Sequence, residues 1–157
     1  MAPGLRLGYM VGPPALIREA RALRRLMVRH PSTNNQRVVA LFLERGYHDA
    51  LLRQIHQVYR NRWQRMGEAL TRHMPHFSIP ATDGGTSFWI KGPAGLDCRL
   101  LRDLAKQNGI LIERGDLHFF DRPRVEYFRL GFSAIADARI EEGIERLAEL
   151  IPQATVR

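Results

Sequence analysis

Two short stretches set an arginine inside an apolar pattern: LRLGY, which holds Arg6, and YFRLGF, which holds Arg129. In the second, Phe128, Leu130 and Phe132 alternate with Tyr127, Arg129 and Gly131. In the first, Leu5, Leu7, Tyr9 and Val11 alternate with Arg6, Gly8 and Met10. A period of two is the signature of a strand with one apolar face. A cation in such a strand requires a partner, because an unpaired charge withdrawn from water is strongly unfavourable. The planar fork of arginine suits a carboxylate or a phosphate. Gly8 and Gly131 lie two residues further along the same faces and leave room for a ligand beside each arginine. An internal ion pair to an aspartate or glutamate, or a sheet edge open to water, would satisfy either arginine equally well.

The elements that must position these arginines follow from the same kind of pattern. Leu5–Val11 reads as a strand, ended by Gly12-Pro13-Pro14. A helix follows, with Leu16, Ala20, Leu23 and Met27 in an apolar stripe and Arg18, Arg21, Arg25 and Arg29 in a basic one. His30-Pro31-Ser32 breaks it. A second helix is predicted over residues 34–45 with Gly46 as its C-terminal cap. A long helix over 48–73 keeps Leu52, Ile55, Tyr59, Trp63, Met66 and Leu70 on one face, and Pro75 stops it. Strand-like runs then alternate with helices: TSFWIK after the turn Asp83-Gly84-Gly85, a helix N-capped by Asp97 and closed by Gly109, the run Ile110–Ile112, YFRLGF, and a last helix over 137–151. The expected fold class is α/β with an α+β small domain. A small, mostly antiparallel sheet is covered by helices and preceded by one strand and long helices. The first strand fits that sheet poorly, since about seventy residues of helix separate it from the others.

Composition narrows the functional classes. The 157 residues are 45% hydrophobic, which suits a packed domain rather than a disordered chain. No apolar run approaches the roughly 20 residues needed to cross a bilayer, and residues 1–12 lack the basic and apolar pattern expected of a signal peptide. With one cysteine, Cys98, an internal disulfide is impossible, and a cytoplasmic protein is expected. The net charge is +8, with only two lysines, Lys91 and Lys106. Such a basic chain can bind nucleic acid, but no arginine cluster is interleaved with aromatics as a single-strand binder would need. His73 and His76 have H-x-x-H spacing across a helix end without a third ligand nearby, so no metal is expected. Cys98 opens a helix, where a thiol pKa can fall, and is read as an ordinary small residue. The Gly84-Gly85 pair is read as a turn.

Taken together, these stretches resemble a known family. APGLRLGYMVGPPALI is similar to the segment after the cofactor lysine in fold-type I pyridoxal phosphate (PLP) enzymes, the aspartate aminotransferase superfamily. YFRLGFSAI resembles the segment that family uses to hold a substrate carboxylate. The NNQ helix start, HQVYRNRWQRM and GGTSFWIKGP follow in the family's order, and the resemblance covers nearly the whole chain. It is nearest to the aminotransferase-like domain of MocR-type regulators of the GntR family. The resemblance implies that Arg6 holds the cofactor phosphate and Arg129 the α-carboxylate of an amino acid. It also implies that Gly84-Gly85 approaches the ligand.

By the same resemblance the Schiff-base lysine would fall just before Met1, and neither Lys91 nor Lys106 replaces it. The chain then reads as the C-terminal part of a longer domain: residues 1–46 from the large PLP-binding domain, 47–74 an interdomain helix, and 75–157 the small domain. On its own it is expected to bind no PLP and to have no transaminase activity. Its parent would bind PLP and an amino acid or amine, form a homo-oligomer, avoid membranes and touch DNA only through another domain. Two rival readings are a fragment of a free-standing class I/II aminotransferase and a small basic nucleic-acid-binding protein.

Overall fold

The computed structural model of the chain describes residues 3–80, 84–122 and 124–155. Met1 and Ala2 of the opening motif, and Asp83 of the expected turn, lie outside them. The chain divides into two compact units, Met1–Ile55 and His56–Arg157.

The first unit begins with a 3₁₀ turn, Pro3–Leu5, after which residues 6–13 run without regular structure. This corrects the strand expected over Leu5–Val11. The alternation is present, but a strand also needs a neighbour to take its backbone N–H and C=O groups. No described residue pairs with this stretch, and Tyr9 is 91% exposed. Helix α1, Pro14–Met27, places Pro14 in its first turn, where the missing N–H is harmless. Its apolar stripe is real in periodicity but uncovered: α1 buries none of its residues, and Leu23 is 59% exposed. Helix α2, Thr33–Glu44, starts on Ser32, whose side chain accepts the Asn35 N–H at 3.4 Å. Gly46 at φ +70° closes it as expected. Helix α3, Tyr47–His73, gives its first turns to this unit.

The second unit holds the core. The remainder of α3 buries Met66, Ala69 and Leu70. Strands β1 (Ser87–Lys91), β2 (Glu113–Arg114) and β3 (Tyr127–Gly131) form an antiparallel sheet in the order β1-β3-β2. The pairing sets Trp89 against Arg129 and Glu113 against the same arginine. Phe88 and Ile90 of β1, with Phe128 and Leu130 of β3, point into the core, and their neighbours point the other way. The expected assignment of faces in β3 is therefore observed.

Helix α4, Cys98–Gln107, is capped by Asp97, which accepts the Arg99 and Leu100 N–H groups at 2.8 and 3.4 Å. Gly109 ends it at φ +74°. The strand expected at Ile110–Ile112 forms later, as β2. The Ile110 N–H still bonds the Ala105 carbonyl at 2.8 Å, so these residues lead out of the helix instead of pairing. Leu111 is consequently 82% exposed. Helix α5, Ile140–Leu150, follows a 3₁₀ turn at Asp137–Arg139 and buries Ile140, Ile144, Leu147 and Leu150. One contiguous apolar cluster results, with Leu70, Ile90, Leu101, Phe128, Phe132 and Leu147 among its most buried members.

Candidate functional site

Arg129 sits in the middle strand of the sheet, on the face turned from the core. Residues directly opposite across antiparallel strands share a face, with Cβ atoms about 5 Å apart. Trp89, Arg129 and Glu113 therefore form a row across the sheet. The Arg129 Nη2 lies 2.5 Å from the Glu113 Oε2, and the side chains of the pair are 47% and 43% exposed. The other Glu113 oxygen, Oε1, is 3.4 Å from the His118 Nε2. Of the settings open to Arg129 in the sequence, the structure realises an ion pair in partial contact with water. Beside this pair is an aromatic shelf. Trp89 stacks on Tyr127 with centroids 5.6 Å apart, and Phe119 leans on both at 6.0 and 5.2 Å. Cations border the shelf: Lys91 lies 5.8 Å from the Tyr127 ring and Arg124 5.5 Å from the Phe119 ring. A Cβ built at Gly131 would meet only the Thr86 carbonyl oxygen, at 3.9 Å, so the space beside Arg129 on its own strand is open.

Two polar clamps hold this face. Asp116, buried in the 3₁₀ turn Gly115–His118 that follows β2, accepts from Arg114 at 2.7 and 2.9 Å and from Arg99 of α4 at 2.9 Å. Hydrogen bonding from Arg114, then from Arg99, holds the Asp116 carboxyl below the usual aspartate range against the opposing effect of burial. The adjoining Gly115 admits no side chain, since a Cβ there would stand 2.6 Å from the Tyr127 carbonyl oxygen. The second clamp is Arg62 on α3. It donates to Asp137 Oδ1 at 2.8 Å and to the Ser133 carbonyl at 2.6 Å, tying down the turn that follows β3. The Arg62 guanidinium lowers the Asp137 pKa. Glu113, Asp116 and Arg62 escape sequence reasoning because their roles depend on strand register and on contacts between distant elements.

Arg6 lies in the first unit. It is exposed, adopts φ +50°, and has no ion pair among the described residues. Asn35 Nδ2–H donates to the Leu5 carbonyl at 3.0 Å, anchoring the peptide that leads into Arg6. An open guanidinium on an anchored backbone fits the phosphate of PLP. It offers nothing to the cofactor's ring.

The Gly84-Gly85 pair lines a cleft of about 390 Å³ together with His56, Tyr59, Arg60, Trp63 and Phe132. Tyr59 meets Phe132 edge-on at 6.2 Å, and Trp63 stacks over Phe88 at 6.3 Å, so both aromatics belong partly to the core. His73 is engaged elsewhere, with its Nε2 2.8 Å from Glu141 Oε1. Burial, then the nearby Asp97, Glu126 and Asp116 carboxylates, push the Cys98 thiol up to about 12. The lowered pKa considered for a helix start is therefore not realised. Among the described residues no group of three or more side chains could hold a metal, and no helix is long and apolar enough to cross a membrane.

This frame, an antiparallel sheet backed by helices with an arginine on its open face, is that of a known class. Residues 1–147 match the family described as aminotransferase class I and II. The chain belongs to that family, whose members use PLP. It is 40% identical over 151 residues to the HTH-type transcriptional regulator TauR of Rhodobacter capsulatus, a match covering 95% of this chain and 31% of TauR. Its fold superposes on the multiple substrate aminotransferase of Thermococcus profundus with a TM-score of 0.91 and 30% identity, covering 98% of this chain and 38% of that one. It also superposes on LysN, the α-aminoadipate aminotransferase of Thermus thermophilus complexed with N-(5'-phosphopyridoxyl)-L-leucine. That match has a TM-score of 0.89 and 25% identity, and covers 97% of this chain and 39% of that one. The chain thus spans about a third of the length of the relatives it matches.

Proposed function

We propose that this chain is the C-terminal, ligand-binding part of an aminotransferase-like domain in a MocR-type transcriptional regulator. The observation that carries the reading is the 40% identity to an HTH-type transcriptional regulator along 95% of the chain. The 30% identity to an aminotransferase of the same fold supports the free-standing enzyme less well. In the parent protein Arg129 receives the carboxylate of an amino acid, and Arg6 contacts the cofactor phosphate. PLP supplies the electrophilic carbonyl that engages an amine; the residues of this chain bind and orient. The ligand shifts the equilibrium between two arrangements of the parent and so alters its grip on DNA, which is held by another domain.

Residues 1–46 belong to the large domain, 47–74 to the interdomain helix and 75–157 to the small domain. The parent works in the cytoplasm as a homo-oligomer. In this chain taken alone, the apolar side chains that α1 exposes, among them Leu16, Leu23 and Met27, favour self-association.

Two observations test the reading. The reading frame upstream of Met1 is expected to encode a lysine in a Ser-x-x-Lys context and, before it, a winged-helix segment. A frame without the winged helix favours the enzyme, and one without the lysine overturns both. Incubation of this chain with PLP and borohydride is expected to give no stoichiometric adduct at Lys91 or Lys106. A stoichiometric adduct at either one contradicts the assignment.

A further inference from the structure

We infer that Glu113 is an internal competitor for Arg129, occupying the arginine fork that a ligand carboxylate would need. The inference rests on the reading of Arg129 as a carboxylate site and adds to it a residue that sets how tightly, and for which acids, the site closes. Register makes the contact specific. Glu113 is the residue directly opposite Arg129 on the edge strand β2, and Trp89 is directly opposite on β1. The arginine is thus flanked by one carboxylate and one aromatic ring, and the carboxylate already engages it at 2.5 Å.

Glu113 also has a neighbour at its second oxygen. Oε1 faces His118 Nε2 at 3.4 Å while Oε2 faces Arg129. A ligand carboxylate can therefore take Arg129 while Glu113 turns toward His118, without leaving an acid stranded. The exchange is easy because both partners of the Arg129–Glu113 pair remain in partial contact with water. Exposed pairs are individually weak and readily replaced. The clamps described above brace the turns that follow β2 and β3, and the exchange needs only side-chain rotation. A ligand meets a graded barrier. Weak, singly charged carboxylates must outcompete a tethered one, whereas ligands that also gain contacts on the Trp89–Tyr127 shelf have a margin to do so.

The test uses the 157-residue chain and sodium acetate as the probe, with sodium chloride at equal ionic strength as the reference. The chain has two tryptophans, and the indole N–H signal of Trp89, assigned through Trp63→Phe, reports on the row. Acetate is expected to shift that signal in the wild type. The dissociation constant should fall about two- to fivefold in Glu113→Gln, the range an exposed ion pair sets. Glu113→Ala should give the same direction, and Arg129→Gln should abolish the response. Equal constants in wild type, Glu113→Gln and Glu113→Ala overturn the competitor role while leaving Arg129 as a carboxylate site. No response in any of them, or an undiminished response in Arg129→Gln, overturns both.

Discussion

The two units are written in the same hydrophobic code and, in this chain, bury it to different degrees. In residues 56–157 the helical stripes are covered: α4 buries Leu101 and Ala105, and α5 buries Ile144 and Leu147. In residues 1–55 the stripe of α1 has the same spacing, yet no residue of α1 or α2 is fully buried. The difference teaches that amphipathic periodicity specifies a helix and a face but says nothing of what covers the face. A helix without a covered face has little beyond propensity to hold it, and short helices are marginal in water on that basis.

That contrast can be broken or sharpened by measurement. Hydrogen exchange should separate the units most: the amides of Leu101 and Leu147 exchange only through global opening, while those of α1 exchange through local fraying. Uniform protection along the chain would dissolve the comparison. Next in size, Phe128→Ala should lower the stability of the second unit by about 3–5 kcal/mol in urea denaturation. Leu23→Ala, on the uncovered face of α1, should change it by less than about 0.5 kcal/mol. A smaller loss, about 1–3 kcal/mol, is expected for Gly115→Ala, because the new methyl group is forced against the Tyr127 carbonyl.

Smallest is a pH effect confined to the second unit. The Asp116 carboxyl is held below its unfolded value by Arg114 and Arg99, so the folded state binds fewer protons than the unfolded one. Its stabilisation is complete above the ordinary aspartate value of about 3.9 and disappears as the pH falls through the lower folded value. Urea midpoints between pH 5 and the acid limit should therefore decline more steeply for wild type than for Asp116→Asn.

Much of the second unit is legible in the sequence, and for identifiable reasons. Asp97 and Gly109 mark the ends of α4 through local chemistry, and the alternation in YFRLGF assigns each face of β3 without outside help. Leu5–Val11 has the same alternation but no pairing partner among the described residues, so in this chain the pattern is not realised as a strand. Arg129 is visible as an anomaly in an apolar run. Glu113 is not, because nothing in ILIERGD reveals that its glutamate will stand opposite position 129. Arg62 is equally silent: on a helix rich in arginines, only the fold selects the one that reaches Ser133 and Asp137.

The state of Cys98 has a practical consequence. Its sulfur is buried and burial pushes its thiol pKa up, so in the folded chain it is expected to react slowly with disulfide reagents and maleimides. Since the sequence has no other cysteine, a Ser87→Cys change would install the sole reactive handle at the end of the sheet face that carries Arg129. A dye or spin label could be attached there without first stripping a native thiol.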